Sequence, residues 1–306
     1  LLIRHLSFFV TLAEEMHFGR AAEICNVAQP TLSSAIRKLE EDLNTLLIVR
    51  GHRYVGLTPD GERALKWGRQ ILADYSSLRH DLASTQSGLS GTLRLGVIPA
   101  AMPSVSFLTS RFGTKHPNVD VEIKSMTSRA IQHGLELFEL DGGVTYLENE
   151  PLEEVQRLPL YHERYVFMCA SGHPYDRRKT ISWAEAVAQP LCLLSEDMQN
   201  RRILNDIAAS AGLTINAPIV SNSFLAICAH LRSGEWCSIV PHTFLHIFGG
   251  NRDICAIELT EPRQSQLIGL VLSARAPQSP MANALVGALN DVNLDGVFEG
   301  LGRPVQ

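Results

Sequence analysis

The sequence lacks any uninterrupted apolar run close to the roughly 20 residues a membrane helix needs, so no spanning segment is expected. Its N-terminus lacks a basic segment followed by an apolar stretch and a cleavage site, so secretion is not expected and a cytoplasmic location is. Cysteine is sparse: the six (Cys25, Cys169, Cys192, Cys228, Cys237 and Cys255) are scattered, mostly inside apolar runs, with no C-x-x-C pair. That pattern reads as reduced core thiols rather than a disulfide framework or zinc site. There is no G-x-S-x-G, no P-loop and no G-x-G-x-x-G following a strand, which leaves hydrolase, nucleotidase and dinucleotide chemistry without support. No enzymatic activity and no cofactor are expected. An excess of positive charge is also missing: 27 Lys/Arg face 32 Asp/Glu, a net charge of −5. Any binding of nucleic acid must then come from a local patch and from geometry.

What is present is ordinary globular composition, 45% apolar and 19% charged over 306 residues, enough for two or three domains. The charge is unevenly placed. Residues 1–90 are balanced, ten basic against ten acidic, and the whole deficit lies beyond them.

Residues 1–58 read as short helices and a hairpin. Leu6, Phe9, Val10 and Ala13 recur at helical spacing, and Phe18 to Cys25 form a second short helix. After Asn26-Val27-Ala28, Gln29-Pro30 opens a third, since proline suits a first helical turn. Its apolar stripe is Leu32, Ile36, Leu39 and Leu43. Two strands, 46–49 and 54–57, flank the tip Arg50-Gly51-His52-Arg53. Thr58-Pro59 then starts a long helix to about Ser87. Along it Ala64, Gly68, Ile71, Tyr75, Leu78 and Leu82 make a heptad seam, which reads as a dimer contact in preference to packing within one chain. Ser87-Gly88-Leu89-Ser90-Gly91 is a linker.

From Thr92 strands and helices alternate, which predicts a mostly parallel α/β sheet in two lobes. Expected strands are 93–98, 119–123, 164–169, 190–194, 219–220, 238–240 and 267–272, with helices at 105–112 and 128–138.

A helix, a short turn and a second helix exposing polar residues is the plan of a helix-turn-helix, which puts the N-terminal part of that helix in the major groove. Gln29 can bond a base edge at two points, and Thr31 offers a hydroxyl and a methyl. Pro30 sets the first turn. Ser33, Ser34, Arg37 and Lys38 can reach bases or phosphates, and Arg50 and Arg53 the adjacent backbone or minor groove. On spacing alone, a three-helix bundle with a solvated polar face fits equally well.

Resemblance separates the two. Phe8-Phe9-Val10-x-x-Ala13-Glu14-Glu15-x-x-Phe18-x-Arg20-Ala21-Ala22, Gln29-Pro30-Thr31-Leu32-Ser33-x-x-Ile36-Arg37-Lys38-Leu39-Glu40-x-x-Leu43 and Leu57-Thr58-Pro59-Asp60-Gly61 resemble the start of LysR-type transcriptional regulators. His173-Pro174, Pro241 and Ser279-Pro280 add a weaker C-terminal likeness. The resemblance implies an α/β fold in three parts. These are a winged helix-turn-helix over 1–58, a linker and dimerisation helix over 59–88, and a two-lobed α/β effector domain over 89–306 like that of periplasmic binding proteins. Lobe I is expected at about 92–160 and 268–306, lobe II at about 161–267. It further implies double-stranded promoter DNA, a small-molecule effector and RNA polymerase as partners, and a dimer or homotetramer. Ala28, where such proteins often carry Ser, leaves the recognition helix without its capping hydroxyl.

The implied effector cleft takes in Pro99-Ala100-Ala101-Met102, Thr127-Ser128-Arg129, Met198-Gln199-Asn200-Arg201 and Ser221-Asn222-Ser223. Each could equally be a plain helix cap. Ser128 is the expected helix start, and Arg201 or Arg202 could pair either with an effector carboxylate or with a surface acid. Met126–Arg129 and Met198–Arg202 resemble a subgroup often encoded near formate dehydrogenase genes, which implies a small carboxylate effector. Two rivals stand beside this reading: a thiol-based redox sensor of the same family, and a solute-binding protein with no DNA function, which would leave residues 1–87 unexplained. His242 and His246 are spaced i, i+4 but Thr243 stands where a zinc protease needs Glu, so no metal site is expected.

Overall fold

The computed structural model describes residues 2–50, 54–248, 253–289 and 293–299. The chain divides into two compact units, Leu1–Leu89 and Ser90–Gln306.

The first unit contains α1 (Leu2–Glu15), α2 (Phe18–Ile24), α3 (Gln29–Asp42), the hairpin strands β1 (Ile48–Arg50) and β2 (Tyr54–Leu57), and α4 (Pro59–Ser87). Leu6, Phe9, Leu12, Ala21, Ala22, Leu32, Ile36, Leu39 and Leu47 make its core. The small residues of α2 let three helices meet closely. Leu43 departs from its expected place in the stripe: it follows the last turn of α3 and is 47% exposed. Glu40 takes a buried position instead. Its Oε1 accepts the N–H groups of Leu47 and Ile48 at 2.9 and 3.2 Å, which ties the hairpin to α3. Gly61 adds a second tie, since a Cβ there would lie 2.0 Å from the carbonyl oxygen of Leu47. Thr58 caps α4 by accepting the Gly61 N–H at 2.9 Å.

The proposed seam on α4 splits in two. Gly68 is buried, and a Cβ there would stand 3.1 and 3.2 Å from Leu6 and Val10 of α1. Ala64 is half-buried on the same core. These two positions are used inside the chain, which corrects their reading as outward contacts. The first turns of a 29-residue helix must cover the core they grow from, and the seam becomes exposed only beyond them.

The second unit runs β3 (Gly91–Val97), α5 (Met102–Lys115), β4 (Val119–Ser125), α6 (Ser128–Glu136), β5 (Gly142–Tyr146), β6 (Val155–Glu163), β7 (Tyr165–Ala170), β8 (Thr180–Ile181), α7 (Trp183–Val187), β9 (Cys192–Leu194), α8 (Gln199–Ser210), β10 (Ile219–Ser221), α9 (Phe224–Arg232), β11 (Ser238–Pro241), α10 (Leu245–Phe248), β12 (Ile254–Leu259), β13 (Gln266–Ser273), α11 (Pro280–Leu289) and α12 (Leu294–Glu299). One-turn 3-10 helices occupy Pro99–Ala101 and His242–Phe244. One lobe holds the sheet β4-β3-β5-β13-β6, the other β11-β7-β12-β8 with the pair β10-β9. A bridge between Leu191 and Cys237 links that pair to the larger sheet.

The sheets are mixed, not mostly parallel. β13 runs antiparallel to both β5 and β6, and β7 antiparallel to both β11 and β12. The chain crosses between lobes twice. Arg164 alone separates β6 from β7, and residues 260–265 return from β12 to β13. A strand returning from the second lobe enters the first sheet where β6 left it, and so lies antiparallel to β6. β5, β6, β8 and β12 were not expected from the sequence. Gly142-Gly143 obscures β5, yet both glycines serve packing: a Cβ at Gly143 would sit 2.2 Å from Ile131 of α6.

Candidate DNA-reading helix and effector pocket

Helix α3 begins at Ala28, which makes no side-chain cap, with Pro30 in its first turn. Gln29, Pro30, Thr31, Ser34, Arg37 and Lys38 are exposed, and Ser33 is half-buried. Leu32, Ala35, Ile36 and Leu39 face the core, so the helix rests on its apolar stripe and turns one continuous polar face to solvent. The paired strands β1 and β2 stand beside it as a wing. Arg50 ends β1, its side chain outside the described residues, and Arg53 lies outside them altogether. Along α4, Ile71, Tyr75, Leu78 and Leu82 are 42, 44, 54 and 64% exposed, and Trp67 at 65% extends the stripe by one turn. The sequence reading passed over Trp67, although it stands four residues before Ile71.

In the second unit, a pocket of about 240 Å³ lies between α6, the segment 150–152 and the start of α8. Of the expected effector residues, Ser128, Arg129 and Gln199 line it. Gln132, His133, Glu136, Tyr146, Glu150, Pro151 and Leu152 line it too and were missed. Helical spacing from Ser128 could have found Gln132, whereas Tyr146 and Glu150 come from a strand end and a loop that no local pattern marks.

The remaining expected residues are placed elsewhere. Pro99, Ala100 and Ala101 are buried in the 3-10 turn after β3, and Met102 opens α5. Thr127, rather than Ser128, caps α6, accepting the Ala130 N–H at 3.1 Å. Ser128 is the first residue of the helix, as expected, and its hydroxyl donates to Glu150 at 3.0 Å. Met198 precedes α8 without a capping bond. Asn200 is buried and donates to the Tyr146 hydroxyl at 2.9 Å. Arg201 is turned inward, donating to the Leu194 carbonyl and to Asn205. Burial lowers its pKa. Arg202 pairs with Glu150 and also donates to the carbonyls of Glu196 and Asp197. Ser221 accepts the Ser223 N–H at 3.1 Å, while Asn222 and Ser223 are exposed and away from the pocket.

Behind the pocket wall lies a buried acid that the sequence reading did not single out. Tyr146 donates to Oε1 of Glu163 at 2.5 Å, and Glu163 is fully buried. Burial pushes its carboxyl up to about 8, against the hydrogen bond from Tyr146 and the nearby Tyr165 hydroxyl, both of which favour the carboxylate. Glu163 in turn raises the phenols of Tyr146, Tyr161 and Tyr165, already raised by burial. Oε2 of Glu163 and the Tyr165 hydroxyl feel one another's charge yet lie outside good hydrogen-bond geometry. One residue on, the backbone N–H of Arg164 donates to Nδ1 of His242 at 3.1 Å. Burial, helped by the Arg164 charge, holds His242 down at about 4. Both groups therefore sit at the crossing between lobes in their uncharged forms near neutral pH.

His246 packs its ring on Phe107 and Phe298, and the His242 ring also lies against Phe298. Among the described residues no three His, Cys, Asp or Glu side chains are grouped to hold a metal ion, and no helix is long and apolar enough to cross a membrane. Gly249-Gly250-Asn251, which in sequence reads as a turn rather than a phosphate loop, lies outside the described residues.

Comparison with known proteins agrees across both units. Residues 3–62 match the model of a bacterial regulatory helix-turn-helix protein of the lysR family, and residues 86–293 match the LysR substrate binding domain. The SDS degradation transcriptional activation protein of a Pseudomonas species is 32% identical, with 94% of this chain and 95% of that protein covered. The DNA-binding transcriptional dual regulator OxyR of Escherichia coli is 25% identical over 97% of both. Among solved structures, full-length OxyR from Pseudomonas aeruginosa superposes with a TM-score of 0.76 at 24% identity, covering 97% of each chain. CbnR bound to its target DNA gives 0.66 at 21% identity, covering 94% of this chain and 98% of that one.

Proposed function

The chain belongs to the LysR family of transcriptional regulators, with an effector-binding domain behind its helix-turn-helix, and from that premise we propose how its own residues divide the work. Gln29, Thr31 and Ser33 of α3 read base edges, while Ser34, Arg37, Lys38, Arg50 and Arg53 hold phosphates, with Pro30 fixing the approach of the helix. The exposed polar face of α3, raised on a fully buried apolar stripe, carries this reading. The first 90 residues have no net charge, so position rather than bulk charge must locate the contacts. Two chains pair through Ile71, Tyr75, Leu78 and Leu82, and pairs of dimers build a tetramer that acts with RNA polymerase at promoter DNA in the cytoplasm.

A small polar effector enters between the lobes at Ser128, Arg129 and Gln199, and alters how the lobes close. Arg129, exposed at the pocket rim, is the cation that would receive the small carboxylate suggested by the formate-linked resemblance. Arg202 is already committed to Glu150.

The deciding experiment measures the affinity of Gln29→Ala for its operator and for random DNA at matched salt. Loss of discrimination by about 1–3 kcal/mol at one base position is expected. An unchanged ratio of the two affinities removes Gln29 from the reading. Arg37→Ala should instead weaken both affinities together and flatten their salt dependence.

A further inference from the structure

Three of the six cysteines lie in one row across the second lobe. Cys169 of β7 and Cys255 of β12 are direct partners in the antiparallel register. Extending the β11–β7 register by one residue from the Ser238–Met168 pair sets Cys237 opposite Cys169 on its other side. The three thiols interact: Cys237 and Cys255 both push the Cys169 thiol upward, adding to burial. This row is absent from the sequence pattern, where Cys169 stands 68 residues before Cys237 and 86 before Cys255.

Directly opposed residues of an antiparallel pair have Cα atoms about 4.5–5.5 Å apart and side chains on the same face, within the reach of a disulfide. Access differs along the row. Cys169 and Cys237 are 0 and 1% exposed, whereas Cys255 is half-buried at the edge, its Sγ 3.5 Å from the Ser171 hydroxyl. Cys237 is enclosed, with its Sγ 3.5 Å from Nε2 of His173. An oxidant arriving from solvent therefore meets Cys255 first, and the sulfur waiting behind it across the strand pair is Cys169.

We propose that Cys169 and Cys255 are a modification site that closes to a reversible cross-strand disulfide under peroxide. The Cys255 thiolate attacks one peroxide oxygen, the O–O bond breaks, and the departing hydroxide takes up a proton to leave as water. Cys255 is then a sulfenic acid. The Cys169 sulfur attacks the Cys255 sulfur, its own proton leaves with the sulfenic hydroxyl as a second water, and the S–S bond forms. Two thiols have lost two electrons and the peroxide has gained them. Cys169 takes part through proximity rather than acidity, because burial holds its thiol at about 12. A cross-strand bridge at a register pair is geometrically tight, and such bonds are the readily reduced ones. The bridge joins β7 and β12, the strands by which the chain enters and leaves the second lobe, three residues from the Val166–Glu258 pair beside the crossing. It would brace those strands against sliding.

The test treats the full chain with hydrogen peroxide, blocks free thiols with N-ethylmaleimide and maps the digest by mass spectrometry. Expected is a product short of two hydrogens, with the Cys169 and Cys255 peptides linked, restored by dithiothreitol and melting above the reduced form. Cys255→Ser should abolish the link, and Cys169→Ser should leave a sulfenic acid on Cys255 that dimedone traps. Cys25→Ser, altered in the other unit, should form the link like the parent. Six free thiols after treatment, a link to another cysteine, or Cys255 driven to sulfinic acid without any link would each overturn the proposal. A melting temperature unchanged by the bridge would overturn its bracing role.

Discussion

Glu163→Gln should abolish a loss of stability that the native chain suffers as pH rises. The folded protein holds the Glu163 carboxyl at about 8, against an ordinary value of 4.5, because burial disfavours the charged form. The unfolded chain releases this proton near 4.5 and the folded chain does not. The stabilisation is thus complete below about 4.5 and is lost progressively as pH rises to about 8. Over that window one group contributes a slope of up to about 1.4 kcal/mol per pH unit, or on the order of 5 kcal/mol in all. Glutamine is close in shape, offers an oxygen where Oε1 now accepts from Tyr146, and does not titrate. Melting temperatures of both full-length chains would be compared in steps from about pH 5 to 9. The native chain should fall relative to the variant until about pH 8 and run level with it beyond. Contributions from His242 are common to both chains and cancel in the difference. Parallel curves over the whole range would refute the argument that burial, with no charge partner, governs this carboxyl.

Other outcomes follow from the same geometry. His242, held near 4 by burial, is neutral when folded, so its stabilisation is present above about 6.5 and lost as pH falls toward 4; His242→Asn should flatten the acid side of the melting profile. Glu40→Ala strips the acceptor from two N–H groups at the hairpin and should destabilise the first unit by about 1.5–3 kcal/mol per bond, seen by denaturant titration. Leu78→Lys sets like charges face to face across the exposed α4 stripe, and sedimentation should find smaller assemblies than the parent forms. Thr127→Ala should cost about 1 kcal/mol of stability as a lost cap, while Ser128→Ala should spare the cap and shift effector affinity instead; the reverse pattern in melting and titration would reassign both residues.

The first 60 residues were readable as a line of text because their contacts are local. A buried stripe at steps of four and three, a proline in a first turn and a threonine cap each announce an element within a few positions, and all three recur in α3 and α4. The same locality failed at Leu43, where the spacing continued one step past the helix end. It also failed at Gly68, whose partner Leu6 lies 62 residues earlier. The alternation beyond residue 92 was enough for an α/β domain. It was not enough for strand direction, because antiparallel β13 is dictated by where the chain recrosses between lobes, not by anything in residues 266–273. The pocket shows the limit most clearly. Ser128 and Gln199 stood out as polar residues at helix starts, whereas Tyr146 and Glu150 reach the same space from a strand end and a loop. Glu163, one acid among 32 in the sequence, acquires its raised pKa only when two lobes and three tyrosines close around it. Short-range periodicity decides which segments are helix or strand, since that energy is settled within a turn or a pleat. Burial, and with it the charge state of Glu163 and His242 and the alignment of Cys169 with Cys255, depends on residues far apart in the chain, and so belonged to the tertiary structure alone.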